Sequence, residues 1–254
     1  MKRRLRVATY NICHCLDFSE GKKPSEDCIR PKKTADAIRL TNADVVGLNE
    51  VYNQGAGLLE KQPERLGEYA EYAYSAFARA IWINASDGRR AYGNGFLSRY
   101  PILSTESVAV PSPPIEERVG GSCYEDRVIL RTVVSIEQGK EITVFITHFG
   151  LNVCEQERMV NRLIELIDSE ENPVILMGDF NVVPDSEILK PIYDRLQSAA
   201  KVCKNTQYTF ATYEPSITID YIFASKEFIV KDFKRVETNV SDHFPCVAEL
   251  EMDN

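Results

Sequence analysis

Five runs of apolar residues, rich in β-branched side chains, constrain the fold of this chain more than any other feature of its sequence. They are apolar nearly throughout rather than alternating with polar residues, which is the pattern of strands buried on both faces. We therefore predict buried strands at Leu5–Tyr10, Asp44–Leu48, Val128–Ile136, Ile142–Thr147 and Pro173–Met177.

Helical patterns lie between these runs. Lys33–Leu40 and Glu155–Ser169 carry apolar residues at helical spacing, and the second has a broad apolar stripe. The last third of the chain instead predicts short strands separated by turn residues, at Tyr208–Phe210, Thr218–Ala224, Phe228–Val236 and Val247–Met252. This mixture predicts an α/β protein.

The length and composition are those of a globular enzyme. The 254 residues are 44% hydrophobic and 27% charged, enough to bury a sizeable core. No Ser/Gly/Pro-rich linker or charged block divides the sequence. We therefore expect one domain over residues 1–254.

The sequence favours a soluble, cytoplasmic protein. The basic start is not followed by the apolar run of a signal peptide, and no stretch has the length of a membrane span, so stable membrane insertion is not expected. Seven cysteines without a CxxC pair indicate reduced thiols. The net charge of −8 disfavours a non-specific polyanion binder, and basic residues cluster only at Lys2–Arg6, Lys22–Lys33 and Arg89–Arg90.

Polar side chains follow several of the predicted strands at the point where each strand ends. They are Asn11, Glu50, His148, and the pair Asp179 and Asn181. Asp220 begins a later strand, and Asp242 and His243 precede the last one. The start of an antiparallel strand lies beside the end of its neighbour, so all these groups can share one edge of the sheets, where ligands bind in α/β proteins.

This set of side chains suits metal-assisted attack of water on a phosphate ester. Oxygen donors such as Glu50 and Asp242 hold Mg²⁺ or Mn²⁺. A carboxylate such as Asp179 can orient and deprotonate the water, while imidazoles and amides donate to the phosphate oxygens. The expected partner is a phosphate-ester substrate; nucleic acid stays open but is not favoured.

Seven motifs in order resemble those of the endonuclease/exonuclease/phosphatase superfamily, the DNase I-like metal-dependent hydrolases. They span Val7 to Leu250 and read "TYN", "NEV", "YGNGFLSRYPI", "THF", "GDFN", "IDYIF" and "SDHFP". The resemblance implies a four-layer sandwich, in which two mixed β-sheets pack face to face with helices outside.

The resemblance also implies roles for individual residues. Glu50 would be the main metal ligand, with Asn11 and Asp242 near the metal. Asp179 would position the nucleophilic water, with Asn181 beside it. His148 and His243 would contact the scissile phosphate, and Asp220 would orient His243. Asn94 would support the site from a strand; with His148 and Asn181 it completes the predicted substrate-binding set, and Asn11 is both a metal and a catalytic candidate.

Two departures separate this chain from the abasic-site DNA-repair branch of the superfamily. Cys13 stands where that branch has an acidic residue, and His148 stands where it usually has tyrosine. Both differences favour the phosphodiesterase and phosphatase branches, acting on a small or lipid-derived substrate. A metal-dependent nuclease acting on DNA or RNA is the alternative, and a non-catalytic binding protein with the same fold is a third hypothesis.

Each of these residues also has a structural explanation. Asp179 and Asn181 could form an Asx turn, and a histidine at a strand end is often structural. Glu50 could be a solvated charge. His14 could border the substrate, although a solvent-facing or structural place is favoured, and Cys13 and Cys15 are interpreted as packing residues.

Overall fold

A computed structural model describes residues 3–21, 24–54, 57–85, 88–119, 123–137 and 139–252. The basic clusters at Lys2–Arg6 and Lys22–Lys33 therefore lie partly outside the described residues. The strands are β1 Arg3–Asn11, β2 Val45–Gln54, β3 Tyr74–Ala85, β4 Gly88–Ser98, β5 Ile102–Val110, β6 Arg127–Glu137, β7 Lys140–His148, β8 Val174–Asp179, β9 Gln197–Ser198, β10 Asp220–Ala224, β11 Phe228–Arg235 and β12 Cys246–Met252. The helices are α1 Pro31–Thr41, α2 Gln62–Ala70, α3 Val153–Asp168, α4 Lys190–Tyr193 and α5 Ala199–Val202.

The strands form two six-stranded mixed sheets. The first has the order β11-β12-β1-β2-β4-β3 and the second the order β5-β6-β7-β8-β10-β9. In each sheet two central strands are parallel, β1 with β2 and β7 with β8, and the other neighbours are antiparallel. The carboxyl ends of these parallel pairs therefore lie at one edge of each sheet.

Three apolar cores define the layers. The first core, which includes Val7, Phe96 and Met177, takes residues from both sheets and lies between them. The second lies between the first sheet and α1 and α2, and the third between the second sheet and α3 and α4. The predicted four-layer sandwich is confirmed, with the buried β-branched strands inside and the helices outside.

The strands that the sequence did not predict lie mainly at sheet edges. β3 and β5 are edge strands with many exposed or half-exposed residues, so they lack the apolar run that marks a buried strand. The opposite error falls at Tyr208–Phe210, predicted to be a strand. There Phe210 makes only isolated bridges, to Ile217 and His243. Within the described residues, no helix is both long and apolar enough to cross a bilayer.

Candidate active site

The carboxyl ends of the central strands of both sheets meet at one place, and Asn11 lies at its centre. Asn11 is the last residue of β1 and is fully buried. Its Nδ2 donates to Glu50 Oε1 at 3.1 Å and to Asp179 Oδ2 at 3.0 Å, and lies 3.4 Å from His243 Nε2. One amide therefore connects a residue of each sheet with the segment before β12.

Asp179 ends β8 and is buried, with its side chain directed into this cluster. Its position depends on Gly178, which has φ +148°, and where a Cβ would lie 1.9 Å from the Thr147 carbonyl oxygen. Asp179 Oδ2 lies 3.6 Å from both His148 Nε2 and His243 Nε2. A single carboxylate oxygen is thus surrounded by the imidazoles and the Asn11 amide.

Asp220 and His243 form a hydrogen-bonded pair beside Asp179. The sheet register places Asp220 opposite Asp179, and His243 Nδ1 lies 2.9 Å from Asp220 Oδ2. Burial by itself would lower the pKa of His243, but the charges of Asp220 and Asp179 outweigh burial and raise it to about 10. His243 is therefore an imidazolium held between two carboxylates. Ligand atoms of these three residues lie within 4.8 Å of one another, so they form a second group that could hold a cation.

Burial also governs the pKa of Asp179. It raises this pKa to about 7, with a further rise from the charge of Asp220 and an opposing effect from His243. The carboxylate can therefore exchange a proton near neutral pH.

Glu50 lies inside a strand and not at its end, which corrects the sequence prediction. β2 continues to Gln54, and its register with β4 shifts between Leu48 and Val51. Glu50 lies in this irregularity with φ +58°, and 23% of its side chain is exposed. The bulge turns a residue of a buried strand toward the solvent-accessible side of the cluster.

The charges around Glu50 fit a divalent cation. Burial would raise the pKa of Glu50, but the surrounding imidazoles and the hydrogen bond from Asn11 outweigh it and lower the pKa. The pKa of Asp242 is raised by burial and further by the charge of Glu50, while His243 opposes the rise. Two carboxylates that repel each other in this way would both be stabilised by a bound cation.

Asn181 follows Asp179 and is held by main-chain and side-chain contacts. Its N–H donates to Asp179 Oδ1 at 2.9 Å, so the Asx turn considered from the sequence is present. Its Nδ2 donates to the Phe149 carbonyl at 3.1 Å. The turn keeps Asn181 beside Asp179, which is compatible with a structural and with a catalytic role.

A second buried asparagine, Asn49, forms hydrogen bonds that hold the cluster in place, and the sequence interpretation did not identify it. Asn49 Nδ2 donates to Asn94 Oδ1 and to the Thr147 carbonyl, both at 2.9 Å, and its Oδ1 accepts the Asp179 N–H at 2.9 Å. Asn94 Nδ2 donates to the Val128 carbonyl at 2.8 Å. Asn94 thus holds Asn49 in place, and its predicted contact with substrate stays a prediction. The signal for Asn49 was its position directly before Glu50 in "LNE".

Arg127 is the second residue that the sequence interpretation missed. It is the first residue of β6, which runs antiparallel to β7, so it lies beside the end of β7 at His148. Arg127 Nη1 lies 3.4 Å from His148 Nδ1. Burial and the charge of Arg127 lower the pKa of His148 to about 3, so His148 is neutral at physiological pH. An isolated arginine at a strand start carries little sequence signal until the strand pairing is known.

Cys13 and His14 have different surroundings from those expected. Cys15 is fully buried, as predicted for a packing residue. Cys13 and His14 instead lie beside Glu50, with ligand atoms of all three residues within 4.8 Å of one another.

A family model described as the Endonuclease/Exonuclease/phosphatase family matches residues 8–243, which include every residue of this cluster. The chain belongs to this family. Membership supports hydrolysis of phosphate esters as the general chemistry. No curated protein sequence matched the chain.

Solved structures of this family share the fold. An endonuclease/exonuclease/phosphatase from Beutenbergia cavernae is 24% identical with a TM-score of 0.79, and the match covers 99% of this chain and 72% of that one. The mannosyl-6-phosphatase of Bacteroides thetaiotaomicron is 20% identical with a TM-score of 0.67, over 97% of this chain and 99% of that one. ANGEL2, a 2',3'-cyclic phosphatase, is 18% identical with a TM-score of 0.70, over 100% and 97% of the two chains. These likenesses establish the fold and not the substrate.

The imidazolium of this endonuclease/exonuclease/phosphatase site predicts a pH-dependent stability. The pKa of His243 is raised from 6.5 to about 10, so between these values the folded protein binds a proton that the unfolded chain releases. In metal-free protein we expect the free energy of unfolding to fall by an amount on the order of 3 kcal/mol between pH 7 and pH 10 because of this group. Urea unfolding at several pH values measures it.

Substitution of His243 separates its contribution to the free energy of unfolding from that of other titrating groups. His243→Asn should lose most of the alkaline slope, because asparagine does not titrate. His148→Asn is the matched control and should keep the slope, since the pKa of His148 is already about 3. Equal slopes in the wild type and His243→Asn would contradict the assignment of the proton to His243.

Proposed function

We propose that this chain is a divalent-metal-dependent hydrolase of phosphate esters, a phosphodiesterase or phosphatase that acts on a small or lipid-derived substrate. One observation carries the proposal: the buried Asp179 carboxylate has a raised pKa and is surrounded by His148, His243 and Asn11, next to the ionised Glu50. A water-activating base, hydrogen-bond donors for a phosphate and a cation site are thereby combined in one place.

Glu50 would be the main ligand of a bound Mg²⁺ or Mn²⁺, with Asn11 and Asp242 beside it. The cation supplies charge neutralisation of the phosphoryl and leaving oxygens. Asp179 Oδ2 would accept the proton of the attacking water, and its pKa of about 7 suits a general base at neutral pH. Asn11 fixes the distance between the proposed metal ligand Glu50 and the proposed general base Asp179, because its Nδ2 donates to both.

His243 and His148 would both donate hydrogen bonds to the phosphate, His243 as a charged imidazolium and His148 as a neutral imidazole. His243, paired with Asp220, is charged and stabilises developing negative charge. Arg127 has only donors, so the 3.4 Å contact makes His148 Nδ1 the acceptor and leaves the proton on Nε2. The Nε2–H of His148 then points at the Asp179 carboxylate, beside which the phosphate would bind. Asn181 completes the proposed set of phosphate contacts.

Among the described residues, three cations near the basic clusters or the candidate site already have partners, and this bears on the size of the substrate. Lys33, in one of the basic clusters, is paired with Asp17, and Arg90, in another, is buried near the Tyr52 ring. Arg127 is partly paired with Glu125, at 3.3 Å. The few basic side chains that remain for a substrate suit one or two phosphates better than the extended backbone of a duplex.

Hydrolysis assays at increasing salt test the substrate class. With Mg²⁺ or Mn²⁺ present, we expect measurable turnover of small phosphomonoesters or phosphodiesters that changes by less than about tenfold between 50 and 200 mM salt. Binding of duplex DNA through about six to ten phosphate contacts would weaken by about a thousandfold or more over the same range. A panel of monoesters, diesters, RNA and DNA provides the measurement.

The same panel separates the three functional classes. Efficient duplex or RNA cleavage at physiological salt, without activity on small esters, would replace the proposal by the nuclease. Absence of turnover with every substrate and metal would favour the binding protein, against which the complete set of candidate catalytic residues argues.

A further inference from the structure

The segment after Asn11 adopts an unusual backbone. Cys13, His14 and Cys15 form a 3₁₀ turn in which all three residues have positive φ, at 41°, 47° and 69°. Non-glycine residues in this region cost free energy and persist only where the surroundings hold them. Here the Cys13 N–H donates to Asn11 Oδ1 at 3.1 Å, and Gln62 Nε2 donates to the His14 carbonyl at 2.8 Å.

This turn directs two side chains at Glu50. His14 Nδ1 lies 3.7 Å from Glu50 Oε2, and Cys13 Sγ lies 4.0 Å from His14 Nε2. One ligand atom from each of Cys13, His14 and Glu50 lies within 4.8 Å of the other two. Ligands bound tetrahedrally at about 2.0 to 2.3 Å from a metal lie about 3.5 Å apart, a spacing that atoms within 4.8 Å of one another approach.

Packing alone accounts for only part of this arrangement. The His14 ring contacts the Tyr52 and Tyr92 rings, with centroids 5.0 and 5.9 Å apart, which explains its orientation. However, His14 Nδ1 is a buried atom without a hydrogen-bond partner. With the ring proton on Nε2, His14 Nδ1 would direct a lone pair at the Glu50 carboxylate, and a bound metal would satisfy both groups.

We infer that Cys13 and His14 join Glu50 in a thiolate–imidazole–carboxylate site for a borderline divalent cation of the Zn²⁺ or Co²⁺ class. The inference rests on the proposed role of Glu50 as a metal ligand, and it replaces Mg²⁺ or Mn²⁺ at Glu50 by a metal of this class. Mg²⁺ prefers oxygen donors, whereas sulfur and nitrogen donors select softer metals. On binding, a bond forms between the metal and Cys13 Sγ, and the thiol proton passes to solvent. Three protein ligands leave a coordination position for substrate or water.

Cobalt titration of the whole chain tests the thiolate ligand directly, without measuring activity. Co²⁺ bound to a thiolate absorbs in the near ultraviolet through charge transfer from sulfur. We expect this band in the wild type and its loss in Cys13→Ser. Cys123→Ser is the matched control, because Cys123 is an exposed thiol whose sulfur lies 4.0 Å from a carboxylate oxygen of Glu125. The control should keep the band.

Zinc affinity gives a second measurement that does not depend on one variant folding well. Competition against a chromophoric chelator should show Zn²⁺ binding weakened by about 10- to 100-fold in both Cys13→Ser and His14→Gln, with the affinity of Cys123→Ser unchanged. Retention of the wild-type cobalt band in Cys13→Ser, or unchanged Zn²⁺ affinity in His14→Gln, would overturn the inference.

Hydrolysis assays distinguish failure of this inference from failure of the proposed function. If the substrate panel shows Mg²⁺-dependent turnover while the cobalt band is absent from the wild type, the hydrolase stands and the mixed-ligand site does not. If Cys13→Ser loses the band and no metal supports hydrolysis, the site stands and the proposed function does not.

Discussion

Replacement of Asp179 by asparagine is expected to lower turnover by about two to four orders of magnitude, the usual contribution of a general base. Asparagine keeps the size and one acceptor but cannot take the proton of the attacking water. It can still accept the Asn181 N–H that Asp179 Oδ1 accepts at 2.9 Å. Steady-state kinetics on a small phosphate ester measure the change.

The structure predicts that this variant folds nearly as well as the wild type. The main chain at this position is held by Asn49 Oδ1, which accepts the Asp179 N–H regardless of the side chain. We expect a melting temperature within a few degrees of that of the wild type.

A matched substitution shows whether the effect belongs to the base. Asp185→Asn removes an exposed carboxylate six positions along the same segment and should leave turnover unchanged. Near-wild-type turnover in Asp179→Asn would assign the activation of water to another group.

Replacement of Glu50 by glutamine is expected to raise the metal concentration needed for half-maximal activity by about tenfold or more. The substitution removes the charge that attracts the cation and keeps an oxygen that accepts from Asn11 Nδ2, as Glu50 Oε1 does at 3.1 Å. Because Glu50 lies at a bulge with part of its side chain exposed, the fold should survive. Titration of activity against Mg²⁺, and separately against Mn²⁺, gives the midpoint metal concentration of the wild type and of Glu50→Gln.

Glu106→Gln provides the control for this titration, since Glu106 is an exposed strand residue in β5. Its midpoint should equal that of the wild type. An unchanged midpoint in Glu50→Gln would remove Glu50 from the metal site, while a loss of activity that no metal concentration restores would assign it a further role.

The sequence determined the parts of this protein that depend on local pattern. Apolar runs of five to nine residues can lie only where both faces of a sheet are covered, so the central strands and the sandwich were predictable. The polar residues at their ends were predictable for the same reason, because Asn11, His148 and Asp179 leave the core where the apolar run stops. Asp220 was predicted to share this edge because it begins a strand, whereas its pairing opposite Asp179 came from the structure.

Only the tertiary structure decided what surrounds each of those residues. The pairing of β6 with β7 brings Arg127 to His148, and contact between the sheets brings Asn49 to Asp179; neither neighbour is close in sequence. The bulge at Glu50 and the left-handed turn at Cys13 and His14 are backbone conformations that no apolar pattern marks. These strained conformations bring ligand atoms of Cys13, His14 and Glu50 close together. The strain is tolerated because contacts from distant parts of the chain offset its free-energy cost. The sequence alone thus predicts which side chains reach the edge of the sheets, whereas their protonation and partners depend on long-range packing.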